Sequence, residues 1–314
     1  MSDNHAFALV FPGQGSQSVG MLRGLAAVYP VIGETFSEAG DILGFDMRAL
    51  IEQGPEEELN RTAITQPALL AADIACYRAW RAAGGGVPAS AAGHSLGEYA
   101  ALVCAESLVF ADALRLVARR GQLMQEAVPE GAGGMAAILG LTDEVVQEVC
   151  QEAAQGDVLA AVNFNAPGQV VIAGARAGVE RAIQAAKGRG AKRALVLAVS
   201  VPSHCALMTP AAERFAQALA EVAIAPPKLP VWHNADVSVS ADAAAIRSAL
   251  TRQLSLPVRW VDTVKRLVQE GASSILECGP GKVLTGLNKR IASVPCLALG
   301  APEDLTAALA AARP

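Results

Sequence analysis

Aromatic residues are scarce in this chain, at 4%. That leaves little from which to build the base-stacking platforms of single-strand binders. A basic excess is absent as well. The 25 lysines and arginines face 30 aspartates and glutamates, a net charge of −5, where a broad nucleic-acid footprint wants the opposite sign. No apolar run approaches the ~18 residues needed to span a bilayer. The first seventeen residues have no basic segment and reach glycine too early for a signal peptide. Partners of nucleic-acid or membrane type are therefore not expected. The six cysteines, Cys76, Cys104, Cys150, Cys205, Cys278 and Cys296, include no CxxC pair and no His/Cys cluster at metal spacing. The expectation is free thiols in a reducing cytoplasm, with no disulfide framework and no metal site.

What the chain does have is apolar bulk. Of its 314 residues 52% are hydrophobic and 18% charged, which permits a large core and excludes wholesale disorder. At roughly 150 residues per domain, the length suggests about two domains. Residues 6–11 read as a buried strand stopped by Pro12-Gly13. Residues 67–83 follow a helical period, with Pro67 suited to a first turn. A strand near 88–92 runs into Gly93-His94-Ser95, and helical stretches follow at 96–105 and 110–127. Strands alternating with helices imply a parallel sheet. The middle reads differently: strand 134–139, helix 142–154 capped by Thr142, strands 158–163 and 169–173 around Asn165-Ala166-Pro167-Gly168, helix 177–187 and strand 193–199. That β-α-β-β-α-β order is a ferredoxin-like unit, inserted in a larger α/β domain that resumes near 200 with a helical run at 206–222.

Gly93-His94-Ser95-Leu96-Gly97 matches G-x-S-x-G, a nucleophile elbow between a predicted strand and a predicted helix. Such a turn exposes the serine hydroxyl at the helix N-terminus and leaves the next amide free to stabilise an oxyanion. The serine needs a base, and only His5, His94, His204 and His233 exist. His5 lies at the terminus, and His94 adjoins Ser95 and cannot face it. His233 reads as a strand-end histidine. His204 follows a strand, on a loop able to face a cleft, and is the favoured base. No acidic third member is evident between Ser95 and His204, so a dyad oriented by a neutral acceptor is at least as good a reading as a full triad. Gly13-Gln14-Gly15-Ser16-Gln17 fails both the Walker and the dinucleotide-binding patterns. It offers backbone amides at a strand end, as a second oxyanion donor or as a plain tight turn. Arg119-Arg120-Gly121 is either a solvated helix face or the source of one inward guanidinium suited to a carboxylate.

Taken together, these segments resemble the malonyl-CoA:acyl carrier protein transacylases of fatty-acid synthesis, the stand-alone bacterial type, over nearly the whole chain. The resemblance runs through Phe11-Pro12-Gly13-Gln14-Gly15-Ser16-Gln17, Thr65-Gln66-Pro67-Ala68, Gly93-His94-Ser95-Leu96-Gly97-Glu98-Tyr99 and Arg120-Gly121. It continues through Asn163-Phe164-Asn165, Val201-Pro202-Ser203-His204, Arg252-Gln253-Leu254 and Gly279-Pro280-Gly281-Lys282. It implies an α/β-hydrolase-like large domain, residues 1–127 and 199–314, carrying a ferredoxin-like insert, residues 128–198. It implies Ser95 as nucleophile, His204 as general base and acid, and Gln253 as the backbone carbonyl that orients the histidine. It further implies Gln14 and Leu96 as the oxyanion hole and Arg120 as the malonyl-carboxylate clamp, with Arg119 an unresolved neighbour. The implied partners are malonyl-CoA and holo acyl carrier protein. Their CoA and phosphopantetheine thioesters are substrates rather than cofactors, and the enzyme is expected as a cytoplasmic monomer. A serine thioesterase or a silent acyl-binding module would be the alternatives.

Carrier proteins of this kind are acidic, and so is this chain, so attraction must come from a local basic patch. The candidates are Lys187, Arg189, Lys192 and Arg193 on the insert, with Lys282, Lys289 and Arg290 near the C-terminal end. Each is also compatible with an ordinary solvated surface charge.

Overall fold

The computed structural model describes residues 6–198 and 201–312. His5 and the expected boundary at 199 lie outside those residues, and the strand expected over 193–199 ends already at Val196. Among the described residues nine strands are present: β1 (Phe7–Phe11), β2 (Ser90–Gly93), β3 (Gly133–Leu139), β4 (Leu159–Ala166), β5 (Gln169–Ala175), β6 (Arg193–Val196), β7 (Val231–Trp232), β8 (Ser274–Glu277) and β9 (Cys296–Ala298). They form two sheets, one in the order β7-β2-β1-β8-β9 and one in the order β4-β5-β3-β6. All pairings in the first are parallel, with Ala8 opposite Ser90 and Phe7 opposite Ser274.

The central strand shows why this sheet is covered on both faces. All five residues of β1 are buried. Phe7, Leu9 and Phe11 join the core cluster that holds Leu69, Trp80, Leu102 and Leu114, from helices Thr62–Ala82, Gly97–Cys104 and Phe110–Ala127. Ala8 and Val10 point the other way, into Trp260, Val264, Leu284 and Leu287 from helices Trp260–Gln269 and Val283–Asn288. The period of two splits the strand between two apolar layers, as a parallel sheet requires.

The second sheet is antiparallel throughout. Helices Asp143–Ala154 and Arg176–Gly188 pack Val146, Val149, Val179 and Ile183 on one face, against Ile138, Val170 and Ile172. Thr142 caps the first helix as expected, accepting from the Val145 amide. On the opposite face Met135, Val162 and Val171 meet Cys205 of the large domain. Element order and strand order are those of a ferredoxin-like unit.

Three further expectations change in detail. The helix expected over 67–83 starts at Thr62, and Pro67 lies inside it. An interior proline costs about 3 kcal/mol, so tertiary contacts must hold the extra turn. Thr65 Oγ1 donates to the Leu59 and Arg61 carbonyls. Gly121 brings helix Phe110–Ala127 so close that a Cβ there would sit 2.7 Å from the Thr62 carbonyl oxygen. Strand β4 runs on to Ala166, past its expected end at 163. The reason is pairing across the domains: the Phe164 amide donates to the Val258 carbonyl, and the Val258 amide to that of Val162. The expected 206–222 run divides into a short turn, Ala206–Met208, and helix Thr209–Ala220.

Candidate active site

The site gathers at the carboxyl ends of three neighbouring strands. Gln14 follows β1, Ser95 follows β2 and Asn234 follows β7, the usual place for chemistry on an open α/β sheet. Ser95 has a φ of 51°, a left-handed conformation that strains a residue bearing a Cβ. The elbow is tight because Gly93 lies against the following helix: a Cβ at Gly93 would fall 1.8 Å from the Gly97 carbonyl carbon. Asn234 clamps the turn. Its Oδ1 accepts from the Ser95 amide at 2.6 Å, and its Nδ2 donates to the Gly93 carbonyl at 2.6 Å.

Ser95 Oγ lies 2.7 Å from His204 Nε2. His204 Nδ1 faces the Gln253 carbonyl oxygen at 2.8 Å. The nitrogen that faces a carbonyl carries the proton, so Nε2 is bare and accepts from the serine hydroxyl. Gln253 is the last residue of helix Ala243–Gln253. Its carbonyl is among those a helix leaves without an internal donor, at the negative end of the dipole. That neutral acceptor occupies the place of a triad acid. The His204 amide donates to Leu254, so one helix end holds both backbone and ring. Burial, and then the Arg120 guanidinium, pull the imidazole down to about 3, against the opposing pull of the Gln253 carbonyl.

Arg120 is 1% exposed. It donates from Nη1 to Gln66 Oε1 at 2.8 Å, and from Nη2 to Gln253 Oε1 at 3.0 Å and Ser95 Oγ at 3.2 Å. All three partners are uncharged, and Nε has none among the described residues. Burial lowers the guanidinium from its usual range, while Tyr99 and Glu98 oppose that. Arg119 is half-buried and donates to Gln122 Oε1 on the surface, so the structure turns Arg120, not Arg119, toward the serine.

One cleft is lined by Gln14, Ser95, Leu96, Arg120, Asn163 and His204, with Met124, Met135, Leu197 and Val201 as its apolar walls. Met135, Asn163 and Leu197 come from the insert, so both domains enclose it. The backbone amides of Gln14 and Leu96 make no hydrogen bond among the described residues, and both residues reach the cleft. That leaves them available as a paired oxyanion donor.

Sequence reasoning did not single out a second layer. His233 is not beside Ser95. It is buried with Nδ1 on Glu98 Oε1 at 2.7 Å. Burial pulls its affinity for protons down, but the Glu98 carboxylate outweighs it and holds it raised. His94 Nε2 meets Asn165 Oδ1 at 2.8 Å. The signal for these residues was present only as motif neighbours, Glu98 in the elbow segment and Gln66 before Pro67.

All seven basic docking candidates are exposed. Arg189 is paired with Glu148 and Glu152, and Lys282 with Asp304. Arg290 donates to Gln169 Oε1 and the Pro167 carbonyl. Lys192 and Arg290 line one groove between the insert and the large domain. Lys187, Arg193 and Lys289 form no ion pair among the described residues. The six cysteines are unpaired and buried. Among the described residues no helix is long and apolar enough to cross a membrane.

The acyl transferase domain model matches residues 8–293. A malonyl CoA-acyl carrier protein transacylase of Salmonella typhimurium is 58% identical over 304 residues, covering 96% of this chain and 98% of its own. One from Bacillus subtilis is 42% identical, covering 96% of each. Among solved structures, a malonyl-transacylase in complex with a type II polyketide acyl-carrier protein is 56% identical with a TM-score of 0.96, covering 97% of this chain and 99% of its own. The transacylase of Coxiella burnetii has a TM-score of 0.96 at 49% identity, covering 98% of each. An elbow serine held by a histidine, beside a buried arginine with no anionic partner among the described residues, thus sits in a chain that belongs to the acyl transferase family of the malonyl CoA-acyl carrier protein transacylases.

Proposed function

We propose that this protein transfers the malonyl group from malonyl-CoA to the phosphopantetheine thiol of holo acyl carrier protein, through a malonyl ester on Ser95, and so supplies fatty-acid chain elongation. The observation that carries this reading is the Arg120 guanidinium, buried among uncharged partners within 3.2 Å of Ser95 Oγ. A buried cation without an anion carries a cost that a bound anion removes, and its distance from the serine suits an acyl group that bears a carboxylate.

His204 Nε2 takes the Ser95 proton as Oγ attacks the thioester carbonyl carbon. The carbonyl oxygen becomes an oxyanion between the Gln14 and Leu96 amides. Losing one such donor typically costs about 10²–10³ in rate. The C–S bond breaks as His204 returns the proton to the CoA sulfur. The carrier thiol then enters, gives its proton to His204, and its sulfur attacks the malonyl ester. Collapse returns the proton to Ser95 Oγ. The malonyl carboxylate itself prepares His204 for this task. Once paired with Arg120, it cancels a charge that opposes the imidazolium. An acetyl group leaves that opposition in place. Water must be kept from the ester, or transfer becomes hydrolysis, and the walls of Met124, Met135, Leu197 and Val201 serve that end.

The carrier protein approaches along β6, where exposed Lys192, just before the strand, and Arg193, its first residue, precede Leu197 in the cleft wall. Lys187, Lys289 and Arg290 extend the basic surface, while Arg189 and Lys282 contribute less because carboxylates already hold them. The enzyme works as a cytoplasmic monomer. Intact-mass analysis after mixing with malonyl-CoA tests the core of the proposal. A malonyl-sized increment is expected on the native chain and none on Ser95→Ala. An increment that survives in Ser95→Ala overturns the nucleophile, and release of free malonate as fast as transfer makes the protein a hydrolase.

A further inference from the structure

Behind the serine lies a buried carboxylate that the transfer mechanism does not use. Glu98 is fully buried. Its Oε1 accepts from His233 Nδ1 at 2.7 Å, and its Oε2 accepts from the Asn234 amide at 3.1 Å and from Gln253 Nε2 at 2.7 Å. The second hydrogen of Gln253 Nε2 goes to the Ser95 carbonyl at 2.9 Å. We propose that Glu98 is a positioning residue for acyl selection: it fixes which way the Gln253 side-chain amide points, and so aims the Arg120 guanidinium at the acyl carboxylate. The inference rests on Arg120 as the clamp.

The argument is one of donors and acceptors. A primary amide has two N–H donors and one carbonyl. Both Gln253 donors are spent on groups that can only accept, a carboxylate and a peptide carbonyl. Only Oε1 remains to face Arg120 Nη2, at 3.0 Å. A flipped amide would set its NH2 against the guanidinium and its carbonyl against two oxygens. The other support of Arg120 has no such lock. Gln66 Nε2 faces the Met124 thioether at 3.5 Å, a weak acceptor, so little besides the bond to Arg120 itself fixes which way the Gln66 amide points. The direction of the clamp is therefore set from the Glu98 side. The same Gln253 gives its backbone carbonyl to His204, so one residue carries both the base and the clamp, and Glu98 controls only the second.

Glu98→Gln should reverse the lock. With the proton on His233 Nδ1, where the Glu98 contact sets it, the new amide offers its carbonyl to that nitrogen. Its NH2 then faces the Asn234 amide and Gln253 Nε2, donor against donor. Gln253 relieves this by flipping, which turns an NH2 toward Arg120.

The test is the ratio of kcat/KM for Ser95 acylation by malonyl-CoA and by acetyl-CoA. Glu98→Gln should lower that ratio about 10–100-fold, the worth of one charge-assisted hydrogen bond. Glu98→Asp, which keeps an acceptor-only group, should restore part of it. Gln253→Met removes the amide but keeps the carbonyl that holds His204, and should lower the ratio equally. The double variant should be no worse than Gln253→Met alone. Equal losses for both acyl groups, or losses that multiply in the double variant, overturn the proposal. If Glu98→Gln does not fold, an unchanged ratio in Gln253→Met overturns it as well. Arg120→Ala separates the two ideas. A ratio that survives this change refutes the clamp itself, whereas a ratio lost there but kept in Glu98→Gln and Gln253→Met refutes only the role of Glu98.

Discussion

Arg120→Ala should invert the acyl preference of the enzyme, and the structure sets the size of the effect. The guanidinium is 1% exposed and, among the described residues, donates only to Gln66, Gln253 and Ser95. With malonyl bound, it gains its one anionic partner inside a closed cleft. Removing one member of a buried ion pair costs about 3–5 kcal/mol, which at about 1.4 kcal/mol per tenfold is roughly 10²–10⁴ in kcat/KM for malonyl-CoA. Acetyl-CoA behaves in the opposite sense. In the native enzyme a neutral acyl group closes the cleft over an unpaired cation, and deleting that cation removes the penalty. Acetyl transfer should therefore rise while malonyl transfer falls. The assay is transfer to purified holo carrier protein from each CoA thioester, with circular dichroism to confirm that the variant is folded. A malonyl-to-acetyl ratio that changes less than about a hundredfold, the low end of buried-pair values, refutes the clamp.

Four further outcomes follow from the geometry. Because His204 is held down to about 3 by burial and Arg120, the acid limb of kcat/KM should fall well below the ordinary histidine range, and Arg120→Ala should move it upward; a native limb near 6.5 contradicts this. The same depression means that the unfolded chain binds more protons than the folded one between about 3 and 6.5, so stability should drop as pH falls through that window, and His204→Gln should flatten the slope of denaturant midpoint against pH. Gly93→Ala places a Cβ 1.8 Å from the Gly97 carbonyl carbon and should cost about 3 kcal/mol or more, so a native-like urea midpoint would mean the elbow is looser than described. Reversing Lys192 and Arg193 to glutamate should raise the KM for carrier protein and weaken its salt dependence more than reversing the already paired Arg189 and Lys282; equal effects place the docking surface elsewhere.

Most of the site was legible in the sequence because its parts are short and local. The elbow is five consecutive residues, and His204 emerges from a field of only four histidines. The choice between Arg119 and Arg120 was not local. Both sit on one helix, and only packing against Tyr99 and the turn before Pro67 decides which faces inward. The missing acid was invisible for a different reason. The acceptor is a backbone carbonyl at a helix end, and every residue has a carbonyl, so side-chain chemistry carries no mark of it. Glu98 shows the opposite case. Its identity is plain in the motif, but its partners His233 and Asn234 lie more than 130 residues away.

The apolar pattern by itself determined the alternation of strands and helices, the inserted β-α-β-β-α-β unit and the elbow, because period and turn chemistry act over a few residues. Tertiary structure alone decided that helix Thr62–Ala82 runs through Pro67, since the contact that holds its first turn comes from Gly121. It alone decided the direction of Arg120, the neutral orienter of His204 and the buried network behind Ser95. Those depend on groups brought together across the sheet, where a donor and its acceptor are fixed by packing rather than by neighbourhood in the chain.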